Sequence, residues 1–486
     1  MENIGEKIME HEDLADYAVE QGLREDASYV EARLEGVMGD QLLLRNGNLE
    51  VGGFFRSYGL GVRVLVNGAM GFCSVNDLST REKVRGVVCN AVRLARASSK
   101  LRKEAIKFSD EEVVDVRYGG KFKENVLDVD LEEKISLLFD VDKAVDVDSS
   151  DVFIPFRLMH LLSFNREEYL VTSEGTRVRS FIPRVFFTSL FTAFNKVNNQ
   201  SEQGPIQKGS SGGWEVVRDW DLRGVVEREV GILSKVLREG REPPKGVIDC
   251  VIGSNITGIA AHENCGHPSE ADRILGREGA QAGESFLNRE MLGHRIGNEE
   301  VTIVDDPTLE GSYGFYLYDD EGIRARERVL IDKGIYKGML HNRETAYFMG
   351  TQSNGASRSS GYNREPIVRM ANTYMKPGDY ASLEALMEDI KLGVYIVSFT
   401  EWNIDDRRFQ SKYVGREAYL IEKGGLKYPV RRPVLEITTP ALFGSIDGCT
   451  REIEFDAALC GKSNPEQIAP VWHGGPCARL KNVRLG

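Results

Sequence analysis

GVIDCVIGSNITGIAAHENCGHPSEAD, residues 246–272, is the stretch on which the reading of this chain turns. It opens on GVIDCVIG, a short apolar run rich in β-branched residues and closed by glycine, the pattern of a buried strand. Ser254 and Asn255 follow, and either suits the capping position of a helix that carries His262. The chain has seven histidines, and two of them, His262 and His267, lie five residues apart with Glu263 directly after the first. Histidines four apart share a helical face and can grip one ion, the reason HExxH is a metal-binding spacing. Five apart, at about 100° per residue, they point about 140° away from each other on a regular helix. An ordinary helix would therefore present them on different faces. Gly266 offers the way out: a π-type bulge or a break there brings the two imidazoles together. Pro268 discourages the helix from continuing beyond His267.

A metal held by His262 and His267 lacks one of the three protein ligands that catalytic zinc sites usually take. Cys449, Cys460, Cys477 and His473 all have the right chemistry, although a lone cysteine is more often a small buried hydrophobe. Zinc brings the pKa of a bound water toward neutrality, and Glu263, pointing to a different side from His262, is the candidate general base that takes its proton. Glu270 and Asp272 are candidates to hold an imidazole in one tautomer, or else solvated loop carboxylates. Cys265 is expected to pack.

Outward from this segment the fold class reads as α+β in two domains, 1–240 and 241–486, joined at GREPPKG (240–246). The N-terminal domain is expected to hold a mixed sheet with helices. An amphipathic helix precedes the alternating SYVEARLEGV, and Asn46-Gly47 and Asn67-Gly68 read as hairpin turns. GLGVRVLVNG lacks the third glycine and the following helix of a nucleotide loop, so it reads as a strand. Apolar residues return at helical spacing from Ser79 to Ala97, and Asp130 with Glu133 suggests a capping box before a further helix. Residues 151–198 read as strands around a turn at Ser173–Thr176, GSSGGW (209–214) as a flexible loop, and LRGVVEREVGILSKVLREG as a helix stopped by Gly240. The C-terminal domain is glycine-rich, with short strands, few long helices and the candidate metal-binding helix. Asp319, Asp320 and Glu321 read as a polar turn rather than a second metal site. Arg358, Arg364, Arg369 and Asn372 sit in a loop able to bond a peptide backbone or simply to face solvent.

A formal net charge of -13 leaves no electrostatic footprint for nucleic acid or an anionic membrane. The most apolar window, 246–261, is shorter than the ~20 residues a bilayer demands. The N-terminus, MENIGEKIMEHEDLADYA, has acids where a signal peptide has a basic region, and the seven cysteines are odd in number and scattered. A cytoplasmic location is expected.

HENCGHPSEAD resembles the signature of the TldD/PmbA metallopeptidases, a histidine, a glutamate, three residues and a histidine, followed by a glutamate and an aspartate. Further stretches look like the TldD branch: YDDEGIRARERVLIDKGIYKGML (318–340), GTQSNGASRSSGYNREPIVRMANTYMKPG (350–378) and REAYLIEKGG (416–425). VEARLEGVMGDQLLLRNGNLE with GLGVRVLVNGAMGFCS is similar to the family's N-terminal domain, so the likeness runs along nearly the whole chain. It implies a zinc metallopeptidase with a third ligand in the C-terminal cysteine of Cys-Gly-Lys, hence Cys460 beside His262 and His267. It implies Glu263 as base, peptides or unfolded chains as substrate, and assembly with a second copy or a PmbA-like partner. PmbA-type subunits lack the metal motif, which this chain has. Asn264 and Cys265 depart from the small apolar residues common at those positions. Two other classes stay open: a non-catalytic scaffold or regulatory subunit with a structural metal, and a modulator of DNA topology. An intact Glu263 argues against the first and the acidic balance against the second.

Overall fold

The computed structural model describes residues 10–145, 151–279 and 283–486. Residues 1–9, part of the acidic N-terminal stretch read above, lie outside the described residues. The first half is built on one seven-stranded sheet of β1 (Tyr29–Arg45), β2 (Asn48–Val66), β3 (Ala69–Val75), β4 (Asp115–Gly119), β5 (Val152–Thr172), β6 (Arg177–Asn195) and β7 (Gln200–Ser211). The order is β3-β2-β1-β5-β6-β4, with β7 also pairing β6. Antiparallel neighbours that are consecutive in the chain are joined by short turns, and Asn46-Gly47 and Asn67-Gly68 supply the positive φ that both hairpin turns need. β4 alone runs parallel to its partner, β6.

Helices cover the sheet through apolar stripes. In α1 (Glu12–Arg24) and α2 (Arg81–Ser98) the buried residues Ala15, Ala18, Val84, Val88, Ala91 and Ala95 recur at helical spacing and pack on Val30, Ala32, Leu60, Val62 and Val64. α3 (Leu131–Lys143), α4 (Trp214–Asp219) and α5 (Leu222–Glu239) close a second core with Phe187, Phe191 and Ile206. The capping box expected at Asp130 and Glu133 does not form: Asp130 makes no side-chain cap, and the Glu133 carboxylate turns away to accept from Trp214 Nε1 at 3.0 Å and Arg218 Nη2 at 2.8 Å. GSSGGW is no flexible loop either. Gly209–Ser211 complete β7, and Trp214 opens α4 fully buried.

The second half is strand-rich and made of two larger sheets, one of nine strands and one of six. β8 (Gly246–Ile252), the strand read from GVIDCVIG, lies inside the nine-stranded sheet, parallel to Leu392–Ile396 and antiparallel to Ala478–Leu485. Among the described residues no helix is long and apolar enough to cross a membrane.

Buried ion pairs fasten the second half to the first. Asp319–Glu321 do form a turn, with Gly322 at φ 79°, but a buried one docked on the sheet. Asp320 pairs with Arg33 at 2.7 Å, and Arg63 lies between Glu31 at 2.6 Å and Glu321 at 2.8 Å. Burial works against the Arg63 charge, but Glu31 and Glu321 outweigh it and hold its pKa well above the usual value. Removing one partner of such a pair leaves uncompensated buried charge, a cost of about 3–5 kcal/mol. Arg63→Met is therefore expected to lower the denaturant midpoint markedly in equilibrium unfolding, whereas Arg223→Ala, which breaks only exposed pairs with Asp140 and Glu227, should leave it within error.

Candidate metal centre

After β8, Gly253 turns the chain into α6 (Ser254–Ala260), and the helix then widens into a π turn, Ala261–Gly266. The backbone N–H of His267 donates to the C=O of His262, five residues back. In π geometry residues five apart stack one above the other, so the spacing that separates two side chains on an α-helix aligns them here. The two imidazoles stand 4.9 Å apart between centroids, edge to face at 80°. Gly266 is required at the closing position: a Cβ there would lie 2.0 Å from Met370 Sδ. His267, Pro268 and Ser269 finish the segment as a single tight turn.

Cys460 comes from 193 positions along the chain, in the strand Glu454–Lys462 at the edge of the six-stranded sheet. Its Sγ lies 3.4 Å from His267 Nε2, and one donor atom from each of His262, His267 and Cys460 falls within 4.8 Å of the others. Tetrahedral zinc with bonds of roughly 2.0–2.3 Å sets its ligand atoms roughly 3.3–3.7 Å apart. The donor set thus suits the ion in chemistry and spacing. The three rivals fall outside this donor cluster, although His473 lines the same cavity. Cys449 contacts Met375 Sδ, Cys477 faces the Tyr395 hydroxyl at 3.6 Å, and the His473 ring is 6.1 Å from that of His262. Cys265 packs in the core.

The two downstream carboxylates do different jobs. Glu270 Oε2 lies 3.0 Å from His267 Nδ1 and accepts from Arg273 Nε at 2.6 Å. With the proton on Nδ1, Nε2 turns its lone pair toward Cys460. Asp272 does not touch a histidine; both of its oxygens bind Lys462 Nζ at 2.8 Å, and Lys462 stands 3.3 Å from Glu270. Burial works against the Glu270 charge, but Lys462, His267 and Arg273 outweigh it and hold the carboxyl well below its usual range. Burial lowers the pKa of both His262 and His267, which favours the neutral, donor form of each.

Cys460 differs from the other thiols. Burial alone would raise its pKa, but His267 and Arg369 outweigh it and bring the thiol down to about 7. Burial pushes Cys265, Cys250, Cys449 and Cys477 up instead. Arg369 and Arg358 are not solvated loop residues. Arg369 donates to the carbonyls of Cys460 and Gln467, and Arg358 to those of Met370 and Pro470, so both brace the strands around the site. Asn372 likewise donates to Asp306 O and Ser312 Oγ.

Glu263 is buried beside a cavity of about 770 Å³ whose wall includes His262, His267 and Cys460 from the second half and β5, β6, β7 and α5 from the first. Its Oε2 accepts from Arg408 Nη1. Arg408 carries no signal in the sequence, since it sits 145 positions away in a tight turn with no motif around it. The unusual Asn264 was the available clue. It donates to Ser411 Oγ at 2.7 Å and Thr439 Oγ1 at 2.6 Å and accepts from the Tyr413 hydroxyl at 2.6 Å, so it ties the π turn to the loop that carries Arg408.

Fold and site together define a class: an α+β protein that sets a histidine–histidine–cysteine donor cluster, with an adjoining carboxylate, in the wall of a cavity of about 770 Å³. The comparisons give the family. Models of the PmbA/TldA metallopeptidase family match its domain 1 at residues 30–95, its central domain at 124–236 and its C-terminal domain at 245–486. A metalloprotease of Methanocaldococcus jannaschii is 31% identical over 94% of this chain and 97% of its own length. A zinc metalloprotease TldD homolog of Saccharolobus solfataricus is 32% identical over 51% of this chain and 53% of its own. The crystal structure of TldE from Thermococcus kodakarensis superimposes with a TM-score of 0.72 at 16% identity, covering 97% of this chain and 100% of that one, a likeness of fold alone. The chain belongs to the PmbA/TldA metallopeptidase family.

The thiol pKa gives a direct check. In metal-free protein, iodoacetamide should label Cys460 at a lower pH than the other buried thiols, because its surroundings favour the thiolate where theirs do not. Cys265 and Cys449 should stay unlabelled up to pH 9, and added zinc should suppress the Cys460 signal.

Proposed function

We propose that the protein is a zinc metallopeptidase that hydrolyses peptide bonds, with His262, His267 and Cys460 holding the metal and Glu263 acting as general base. The observation that carries this is the position of Glu263: next in sequence to one donor and lining the same cavity as all three. When bound, zinc supplies Lewis acidity that brings a water molecule's pKa toward neutrality. The protein's own groups do the rest. Glu270, fixed by Arg273 and Lys462, keeps the His267 ring oriented and Nε2 unprotonated. Arg369 keeps Cys460 in place through its carbonyl and favours the thiolate. Glu263 takes the proton from water as the oxygen attacks and passes it to the departing amine.

The cavity lies between the two halves and is of a size for a short stretch of peptide, not a folded domain. This supports peptides and unfolded chains as substrates. Assembly with a second copy or a PmbA-like partner in the cytoplasm is part of the same proposal. The name carried by the Saccharolobus relative supports zinc. A structural-metal scaffold has no use for a buried carboxylate at the cavity wall. A DNA-topology modulator would need a basic surface that the net charge of -13 does not favour.

Glu263→Gln is expected to stay folded and retain one zinc per chain while peptide hydrolysis falls by about 10²-fold or more. His262→Ala and Cys460→Ser should lose zinc and hydrolysis together. Metal analysis beside a fluorogenic-peptide assay reads both, and a Glu263→Gln protein as fast as wild type would reject the base.

A further inference from the structure

Arg408 occupies a position that its backbone resists. Its φ of 63° is left-handed, a region that disfavours residues with a Cβ, and the surroundings hold it there. The Asp405 carboxylate caps the turn, accepting from the N–H groups of Phe409 at 2.6 Å and Gln410 at 2.8 Å. Thr439 Oγ1, which accepts from Asn264, donates in turn to the Arg408 carbonyl at 2.9 Å. The residue after Glu263 thus anchors the loop that aims Arg408 at Glu263.

The side chain is only 11% exposed, and among the described residues Glu263 is the one hydrogen-bond partner of its guanidinium. Nε is buried and has no partner among the described residues. An arginine carries five N–H donors, and burying them unused is costly unless an acceptor arrives. The cavity that Arg408 lines together with Glu263 and the donor cluster gives such an acceptor a way in.

Resting on the metallopeptidase reading above, we propose that Arg408 is a further catalytic residue: it binds the oxygen of the scissile carbonyl, releasing Glu263 to meet the water. In the addition step the water oxygen bonds to the carbonyl carbon, one water proton passes to Glu263, and the C=O π pair moves onto the oxygen facing Arg408. Collapse returns that pair and breaks the C–N bond, and the proton leaves Glu263 for the departing amine. A guanidinium fixed where negative charge develops acts on the transition state more than on the bound peptide. The competing acceptor is the terminal carboxylate of a peptide, which would make Arg408 a specificity site for free C-termini. The cavity wall disfavours it. Four carboxylates (Glu229, Glu263, Asp456 and Glu466) line it against three cationic side chains, and one of these, Arg416, is already paired with Glu229 at 3.3 Å.

The experiment compares wild type, Arg408→Met and Arg408→Lys, each loaded with zinc, on one peptide blocked at both ends and on the same peptide with a free C-terminus. Arg408→Met should lower kcat on both by about 10²-fold with little change in KM, and Arg408→Lys should recover part of the loss. A phosphinic peptide that mimics the tetrahedral species should lose affinity by a similar factor. The uncleaved peptide should bind equally to Glu263→Gln and to Glu263→Gln combined with Arg408→Met. Should the Met variant not fold, the Lys variant carries the same comparisons. A loss confined to KM for the free-acid peptide assigns Arg408 to terminal carboxylates and overturns the proposal, as does a wild-type kcat in Arg408→Met. A wild-type protein that cleaves no peptide overturns the metallopeptidase reading and this role with it.

Discussion

The five-residue interval between His262 and His267 is the constraint around which the rest of the site is arranged. An α-helix cannot bring the two rings to one point, so the chain adopts a π turn in which the N–H of His267 reaches the carbonyl of His262. That turn is stable only where the surroundings enforce it. Gly266 lets Met370 approach where no Cβ fits, and Asn264 spends its whole amide on Ser411, Thr439 and Tyr413. Once the turn is in place, the third donor must come from another element, and the edge strand Glu454–Lys462 delivers Cys460.

Charge surrounds this centre in layers. Asp272 binds Lys462, Lys462 and Arg273 bear on Glu270, and Glu270 orients His267. These groups are buried, and a buried carboxylate persists as an anion only where cations and donors compensate it. The same rule governs the joint between the halves, where Arg33, Arg63 and Arg343 meet Asp320, Glu321 and Glu174. The cavity depends on that joint, because its wall is drawn from both halves.

Local signals in the sequence were legible where local chemistry decides the outcome. The strand before the site, the hairpin turns at Asn-Gly, the long helix ending at Gly240 and the break at Gly266 each follow from a few adjacent residues. The α+β class followed from the same patterns. Features decided by partners far along the chain were not legible. Glu133 looks like a capping residue until Trp214 and Arg218 arrive to take its carboxylate. GSSGGW looks mobile because glycine and serine favour loops, yet in β7 they allow close approach, as at Gly209, where a Cβ would meet Ala457 at 2.8 Å. Asp319–Glu321 look like surface acids because their arginine partners lie more than 250 residues earlier in the chain. Spacing alone could not choose Cys460 among four candidates; the family resemblance chose it, and the geometry brings that residue to the two histidines. Arg408 had no local signature at all.

The central claim is that a π turn and a distant strand build one site with two nitrogen donors and one sulfur. X-ray absorption at the zinc edge of protein purified without chelator tests it most directly. A single sulfur scatterer near ~2.3 Å and nitrogen or oxygen neighbours near ~2.0–2.1 Å are expected, with the sulfur shell lost in Cys460→Ser. A first shell with no sulfur, or a sulfur shell that survives Cys460→Ser, would contradict it.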